Sequence, residues 1–170
     1  MTESSTAANS KSLSVLIPTY KRPDFLALAL DTVAAQTRQA DEVIVVDNDE
    51  TMSAIKTVET YHDSIRNLKY VPESAQAGAA YAMNVAARAA TGDWLVFLDD
   101  DDYWDPEYLA AVERAVDSGI SDCIVTWTAY DYDGVIRGGK KMPRSMTIEQ
   151  IFRSGNPGFV GTNIAFEKSL

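Results

Sequence analysis

A chain of 170 residues, 46% hydrophobic and 24% charged, has the size and composition of one globular domain, which excludes general disorder, a collagen-like repeat and a disulfide-stapled scaffold. With 25 acidic residues against 15 basic ones and a formal net charge of -10, it repels nucleic acid and anionic membrane surfaces on average, and a small anionic substrate needs a cation between itself and the protein. No apolar run approaches the roughly eighteen residues of a membrane span, and the lone Cys123, in the run CIVTW, is expected as a buried, reduced thiol in a cytoplasmic setting.

Residues 1–12, MTESSTAANSKS, lack an apolar core and read as a polar disordered tail, not a signal peptide. LSVLIPTY, from Leu13, is a buried strand ended by Pro18. Pro23 and Asp24 open a helix whose apolar face is Phe25, Leu26, Leu28, Ala29, Leu30 and Val33. EVIVVD, residues 42–47, is a second continuous strand that stops on an acid. MSAIKTVETYHDSI has helical period, with His62 on the surface, and LKYV is a third short strand. The alanine-rich stretch from Ala77 to Ala90 is a helix with Gly92 as its C-terminal cap.

WLVFL is the fourth strand. Pro106 stands at the first turn of the helix in EYLAAVERAVDSG, which closes on Gly119, and DCIVTW is the fifth strand. Trp94 and Trp127 fall in strands and are expected in the core. Beyond Thr128 the pattern suggests a hairpin in AYDYDGVIRGG, with Asp131 and Asp133 as turn residues, a short helix in TIEQIF and a last strand in GFVGTNIAF. Alternating helices and near-continuous apolar strands predict an α/β domain, a mostly parallel sheet with helices on both faces.

In such sheets ligands bind beyond the carboxyl ends of the strands. The first strand delivers PTYKR there, the second DNDE and the fourth DDDDYWDP. Four consecutive aspartates behind a buried strand demand a countercharge, because two carboxylates about 4 Å apart repel by roughly 4 kcal/mol at an effective dielectric near 20. Nearby basic residues are not expected to supply it. A hard divalent cation, Mg2+ or Mn2+, does so with one or two carboxylates, the remaining positions going to water and substrate phosphates. DDDDYWDPEYL lacks the glycine and distal glutamate of a helix-loop-helix calcium site.

With these loops placed, SVLIPTYKRPDFLALALDTVAAQT, DEVIVVDNDE and GAAYAMNVAARAATGDWLVFLDDDDYWDP resemble the successive motifs of family-two glycosyltransferases of the GT-A fold. The resemblance runs from residue 13 to residue 109, with a fainter echo in GFVGTNIAFEKSL. It implies a nucleoside-diphosphate sugar donor, a UDP-sugar first, and transfer to a carbohydrate or other hydroxyl acceptor with inversion. It further implies that Pro18, Thr19 and Tyr20 line the base and ribose pocket, that Asp47 accepts a hydrogen bond from the base, and that Asn84 belongs to the donor site. Asp99, Asp100 and Asp101 occupy the family's DXD positions: Asp100 approaches the ribose, Asp101 is the leading metal ligand, Asp99 supports it and Asp102 is an alternative. Residues 13–127 are then the nucleotide-sugar-binding portion and residues 128–170 the start of the acceptor side. The expected location is cytoplasmic, free or peripheral to the inner face of a membrane.

Two features depart from the family. Met83 precedes Asn84 where an arginine is common in the family, and whether Arg88, one turn on, substitutes for it is left open by the sequence. The general base of the family lies in an acidic motif downstream of the GTNIAFEKSL segment, so it is expected beyond Leu170 and the chain is expected to be C-terminally incomplete. Trp104 either packs the acid loop or stacks near the sugar, and Thr162 and Asn163 belong near the acceptor side. A sugar-1-phosphate nucleotidyltransferase is the alternative enzyme, although LIPTYKRPD lacks the glycine-rich triphosphate loop. A non-catalytic nucleotide-sugar-binding module is the alternative outside catalysis, and a dinucleotide dehydrogenase is disfavoured because no G-x-G-x-x-G follows the first strand.

Overall fold

The computed structural model describes residues 10–73, 78–139 and 160–170. Most of the expected N-terminal tail and the expected helix in TIEQIF lie outside the described residues. The strands are β1 (Leu13–Thr19), β2 (Glu42–Asp47), β3 (Leu68–Pro72), β4 (Trp94–Phe97), β5 (Cys123–Val125), β6 (Ala129–Tyr132), β7 (Val135–Gly138) and β8 (Ile164–Glu167). The helices are α1 (Pro23–Ala34), α2 (Ile55–Thr60), α3 (Gly78–Ala89) and α4 (Tyr108–Asp117).

Six strands form one sheet in the order β3-β2-β1-β4-β8-β5. β1 to β4 run parallel, whereas β8 enters antiparallel between β4 and β5. The hairpin β6-β7 pairs separately, turning on Asp133 and Gly134, both at positive φ. β1 and β2 are buried along their whole length. Val15, Ile17, Val43 and Val45 pack on one face with Leu26, Leu30, Val58, Leu109 and Val112 of α1, α2 and α4. Leu16, Ile44 and Val46 pack on the other with Ala82 and Ala86 of α3. This is the period-two alternation of a sheet covered on both sides, each fully buried Leu or Val contributing about 1.5–3 kcal/mol.

Pro18 continues β1 instead of ending it, in register with Val46. Its missing N–H falls on the β4 side, beyond the last paired residues, Leu16 and Phe97, so no ladder bond is lost. α2 is far shorter than its periodic stretch, because Met52 turns the chain with φ 53° and tight turns follow Thr60. Gly119 ends α4 at φ 62° as expected. Gly92 is no such cap: its α-carbon lies against β1, where a Cβ would sit 2.6 Å from Ser14 Oγ. α4 has no side-chain cap of its own. Gln36, 2% exposed, accepts from Leu109 N–H at 2.9 Å and donates to the Asp105 carbonyl at 2.8 Å, tying the end of α1 to the start of α4.

The strand expected over DCIVTW is reduced to Cys123–Val125 at the outer edge of the sheet. There Cys123 is exposed, not buried, and Trp127, past the strand end, is 62% exposed, not core. An edge strand has a neighbour on one flank only, so an apolar sequence does not ensure cover. Trp94 is buried as expected.

Candidate functional site

The carboxyl end of the parallel strands gathers three loops and the short 3-10 turn Gly161–Asn163 that leads into β8. At their centre lies Asp100, 1% exposed. The Thr19 hydroxyl, at the end of β1, donates to Asp100 Oδ2 at 2.7 Å. From the same loop Arg22 places Nη2 2.7 Å from Asp100 Oδ1 and Nη1 2.7 Å from Asp101 Oδ2. The countercharge that the neighbouring sequence was not expected to provide is therefore present, in Arg22. Burial pushes the Asp100 carboxyl above its ordinary value, while the Thr19 hydrogen bond and the Arg22 charge pull it down.

The remaining acids are sorted by Thr162. Its Oγ1 accepts from the Asp99 N–H at 3.1 Å and donates to Asp102 Oδ2, while Asp102 N–H closes a turn onto the Asp99 carbonyl at 3.1 Å. Burial, then the charges of Asp102, Asp101 and Asp100, raise the Asp99 carboxyl. Trp104 packs the loop: it is 4% exposed, stacks on Tyr108 with ring centroids 4.3 Å apart, and donates its indole N–H to the Thr162 carbonyl at 3.0 Å. Asn163 is buried and donates to the Thr126 carbonyl at 3.0 Å.

Pro18 is buried under the site, and Tyr20 is 45% exposed with Lys21 Nζ 5.1 Å from its ring centroid. Asp47, at the end of β2, is fully buried. Its Oδ1 accepts from Asp49 N–H at 2.9 Å, and its Oδ2 from Ala54 N–H at 3.0 Å and Tyr70 hydroxyl at 2.8 Å. The carboxylate is thus already the organiser of its own loop. Asn48, 4% exposed, donates to the Gly78 carbonyl at 3.0 Å, and its Oδ1 is a buried acceptor without a hydrogen bond among the described residues.

Asn84 is exposed on α3, with no hydrogen bond to the acids among the described residues. α3 starts at this edge and runs back toward the amino end, so Arg88, ten residues after Gly78, lies about 15 Å further along the helix. It does not join the acid cluster. Two participants carried weak signals in sequence. Arg22 is a cation at the start of a helix, where positive charge is disfavoured, and Asn48 is a polar residue directly after a buried strand.

Asp99, Asp101 and Asp102 offer hard oxygen donors of the kind Mg2+ and Mn2+ take. As the side chains stand, no group of three acidic, histidine or cysteine residues among the described residues is arranged to hold a metal ion, since Arg22 draws Asp101 one way and Thr162 draws Asp102 the other. One or two carboxylates completed by non-protein ligands fit the arrangement, and a closed protein cage does not.

The model of the family described as Glycosyl transferase family 2 matches residues 14–170. TarS of Staphylococcus aureus, a poly(ribitol-phosphate) beta-N-acetylglucosaminyltransferase, is 32% identical over 136 residues, 78% of this chain and 22% of that protein. Validoxylamine A glucosyltransferase of Streptomyces hygroscopicus is 36% identical over 124 residues, 71% of this chain and 29% of that protein. The crystal structure of S. aureus TarS 1-349 in complex with UDP-GlcNAc matches with a TM-score of 0.72 and 25% identity, over 93% of this chain and 46% of that one. The chain spans less than half the length of each of these relatives.

Proposed function

Because the chain belongs to glycosyl transferase family 2 and has the GT-A fold, we propose that it moves a sugar from a nucleoside-diphosphate sugar to an acceptor hydroxyl, with inversion at the anomeric carbon. A UDP-sugar is the donor we favour, since the related TarS structure holds UDP-GlcNAc. The observation that carries this reading is the joining of the β1 and β4 loops through Thr19 and Asp100, 2.7 Å apart and buried, with the half-exposed Asp101 beside them. A donor seated on this edge has a buried floor in Pro18 and Thr19, the exposed ring of Tyr20 for its base and ribose, and Asp100 for the ribose hydroxyls. Asn84 belongs to the α3 side of the same donor site.

Asp47 supports the base pocket with its remaining lone-pair capacity, and Asn48 Oδ1 offers an unsatisfied acceptor to a base N–H. Asp101, supported by Asp99 and Asp102, would hold Mn2+ or Mg2+, which when bound stabilises negative charge on the departing diphosphate. Residues 13–127 form the donor-binding portion and residues 128–170 the beginning of the acceptor side. No helix among the described residues is long and apolar enough to cross a membrane. We place the chain's action in the cytoplasm, free or at the inner face of a membrane, where an exposed thiol such as that of Cys123 stays reduced.

Calorimetric titration of UDP with and without Mn2+ tests the reading. Mn2+ is expected to strengthen UDP binding, and Asp101→Ala to abolish that gain with little change in thermal stability. Equal UDP binding in the two proteins would overturn it. The anomeric configuration of sugar released from a UDP-sugar, followed by proton NMR, tests inversion.

A further inference from the structure

We propose that Arg22 is the built-in occupant of the cation position: its guanidinium holds Asp101 until a divalent ion displaces it, and the diphosphate of the donor makes that displacement favourable. This rests on the reading of Asp101 as a ligand of that ion.

The local backbone is bent to deliver this side chain. Lys21 takes φ 54°, a left-handed conformation that a residue with a Cβ adopts at a cost. Arg22 then occupies the N-cap of α1 without a side-chain cap hydrogen bond, a position that favours Ser, Thr, Asp or Asn. It also sets a positive charge at the positive end of the helix dipole. What these unfavourable choices achieve together is one fork of nitrogens reaching two carboxylates.

The two arms of the fork differ. The Asp100 carboxylate is 1% exposed, whereas that of Asp101 is 47% exposed, with the arginine itself 45% exposed. A half-exposed pair is weak and easily exchanged, and a buried one is not. Arg22 is therefore anchored on Asp100 while its contact with Asp101 can be given up to a stronger cation. Since like charges exclude each other, arginine and ion compete for Asp101 when no nucleotide is bound. An anionic diphosphate at the same edge favours both cations at once, so nucleotide and metal bind cooperatively, by the same factor whichever binds first.

The test uses the full chain, with Mn2+ alone and UDP as probes. Free Mn2+ is measured by electron paramagnetic resonance against wild type, Arg22→Gln and Arg22→Lys. Arg22→Gln is expected to tighten Mn2+ binding without nucleotide by roughly two- to fivefold and to weaken UDP binding without metal. Arg22→Lys is expected to lie between, because one ammonium cannot span both acids. Unchanged or weaker Mn2+ binding in Arg22→Gln, with wild type still binding Mn2+ in the presence of UDP, overturns the role of Arg22 and leaves the donor site standing. Absence of Mn2+ binding in all three proteins even with UDP removes Asp101 as a ligand and the inference with it. If Arg22→Gln does not fold, the wild-type Arg22 side-chain NMR resonance decides: it is expected to move as Mg2+ saturates, and a resonance that stays fixed while the Asp101 amide shifts overturns the proposal.

Discussion

Gly161 lies against the carboxylate of Asp99: a Cβ on the glycine would sit 2.6 Å from Asp99 Oδ2 and 2.7 Å from Oδ1. A side chain at residue 161 would therefore displace the Asp99 carboxylate from its place between the turn before β8 and the acid loop after β4. Gly161→Ala forces the short, half-buried Asp99 side chain off its rotamer, at an expected cost of about 1–2 kcal/mol. Urea unfolding should show that loss, and UDP calorimetry should show a smaller Mn2+-dependent gain. A variant with wild-type stability and wild-type Mn2+ dependence would mean that the Asp99 carboxylate is free to move.

Lys21 gives a second, opposite expectation. Asparagine tolerates left-handed backbone better than lysine, and valine tolerates it worse. Lys21→Asn should raise stability by about 0.5 kcal/mol, and Lys21→Val should lower it by about 1–2 kcal/mol while loosening the Arg22 bridge. Denaturant midpoints for the two variants must fall on opposite sides of wild type.

The sheet was legible in sequence where an apolar run is bounded by punctuation that acts locally. β2 stops on Asp47 as expected, α1 opens on Pro23 and α4 closes at Gly119, because capping and propensity involve neighbours in the chain. Three acid-bearing or aromatic strand ends could be assigned to one edge for the same reason. What stayed hidden depends on partners distant in sequence. Arg22 meets Asp101 across 79 positions, and no local pattern marks that pairing. The insertion of β8 between β4 and β5 is a matter of strand order, and it is what leaves Cys123 on an edge. Gly92 reads as a cap in the chain but is required by Ser14, 78 residues away.

Asp47 divides into a structural and a ligand-binding role that mutation can separate. Tyr70 donates its hydroxyl to Asp47 Oδ2 at 2.8 Å, and burial, then that hydrogen bond, push the phenol well above its ordinary value. Tyr70→Phe removes one of three bonds to a buried carboxylate and should cost about 1.5–3 kcal/mol. Asp47→Ala strands the Asp49 and Ala54 amides as well and should cost more. With Asp47 accepting from the base, Tyr70→Phe, which leaves the carboxylate in place, should keep UDP affinity within about twofold of wild type, whereas Asp47→Asn should lower it about tenfold, measured where all proteins are fully folded; unchanged UDP affinity in Asp47→Asn would leave Asp47 as an organiser of the loop only.

At the amino end of the sheet, Glu42 makes stability depend on pH. Glu42, 4% exposed, accepts from Ser14 Oγ at 2.7 Å, Thr91 N–H at 2.9 Å and Thr91 Oγ1 at 2.9 Å, and pairs with Lys69. Burial alone would raise its carboxyl, but Lys69, Thr91 and Ser14 hold it down to about 2 against an ordinary 4.5. The unfolded chain thus binds the proton more readily, so this group stabilises the fold fully above about pH 5 and loses that contribution as pH falls toward 2. The gap corresponds to about 3 kcal/mol, reduced to about 2 kcal/mol because Lys69 is half exposed and screened. Glu42→Gln should therefore be less stable than wild type by about 2 kcal/mol at pH 7. In urea unfolding at about pH 2.5 the difference should have largely closed. A difference that persists unchanged at low pH would show that Glu42 acts there through its shape and hydrogen bonds, not through its charge.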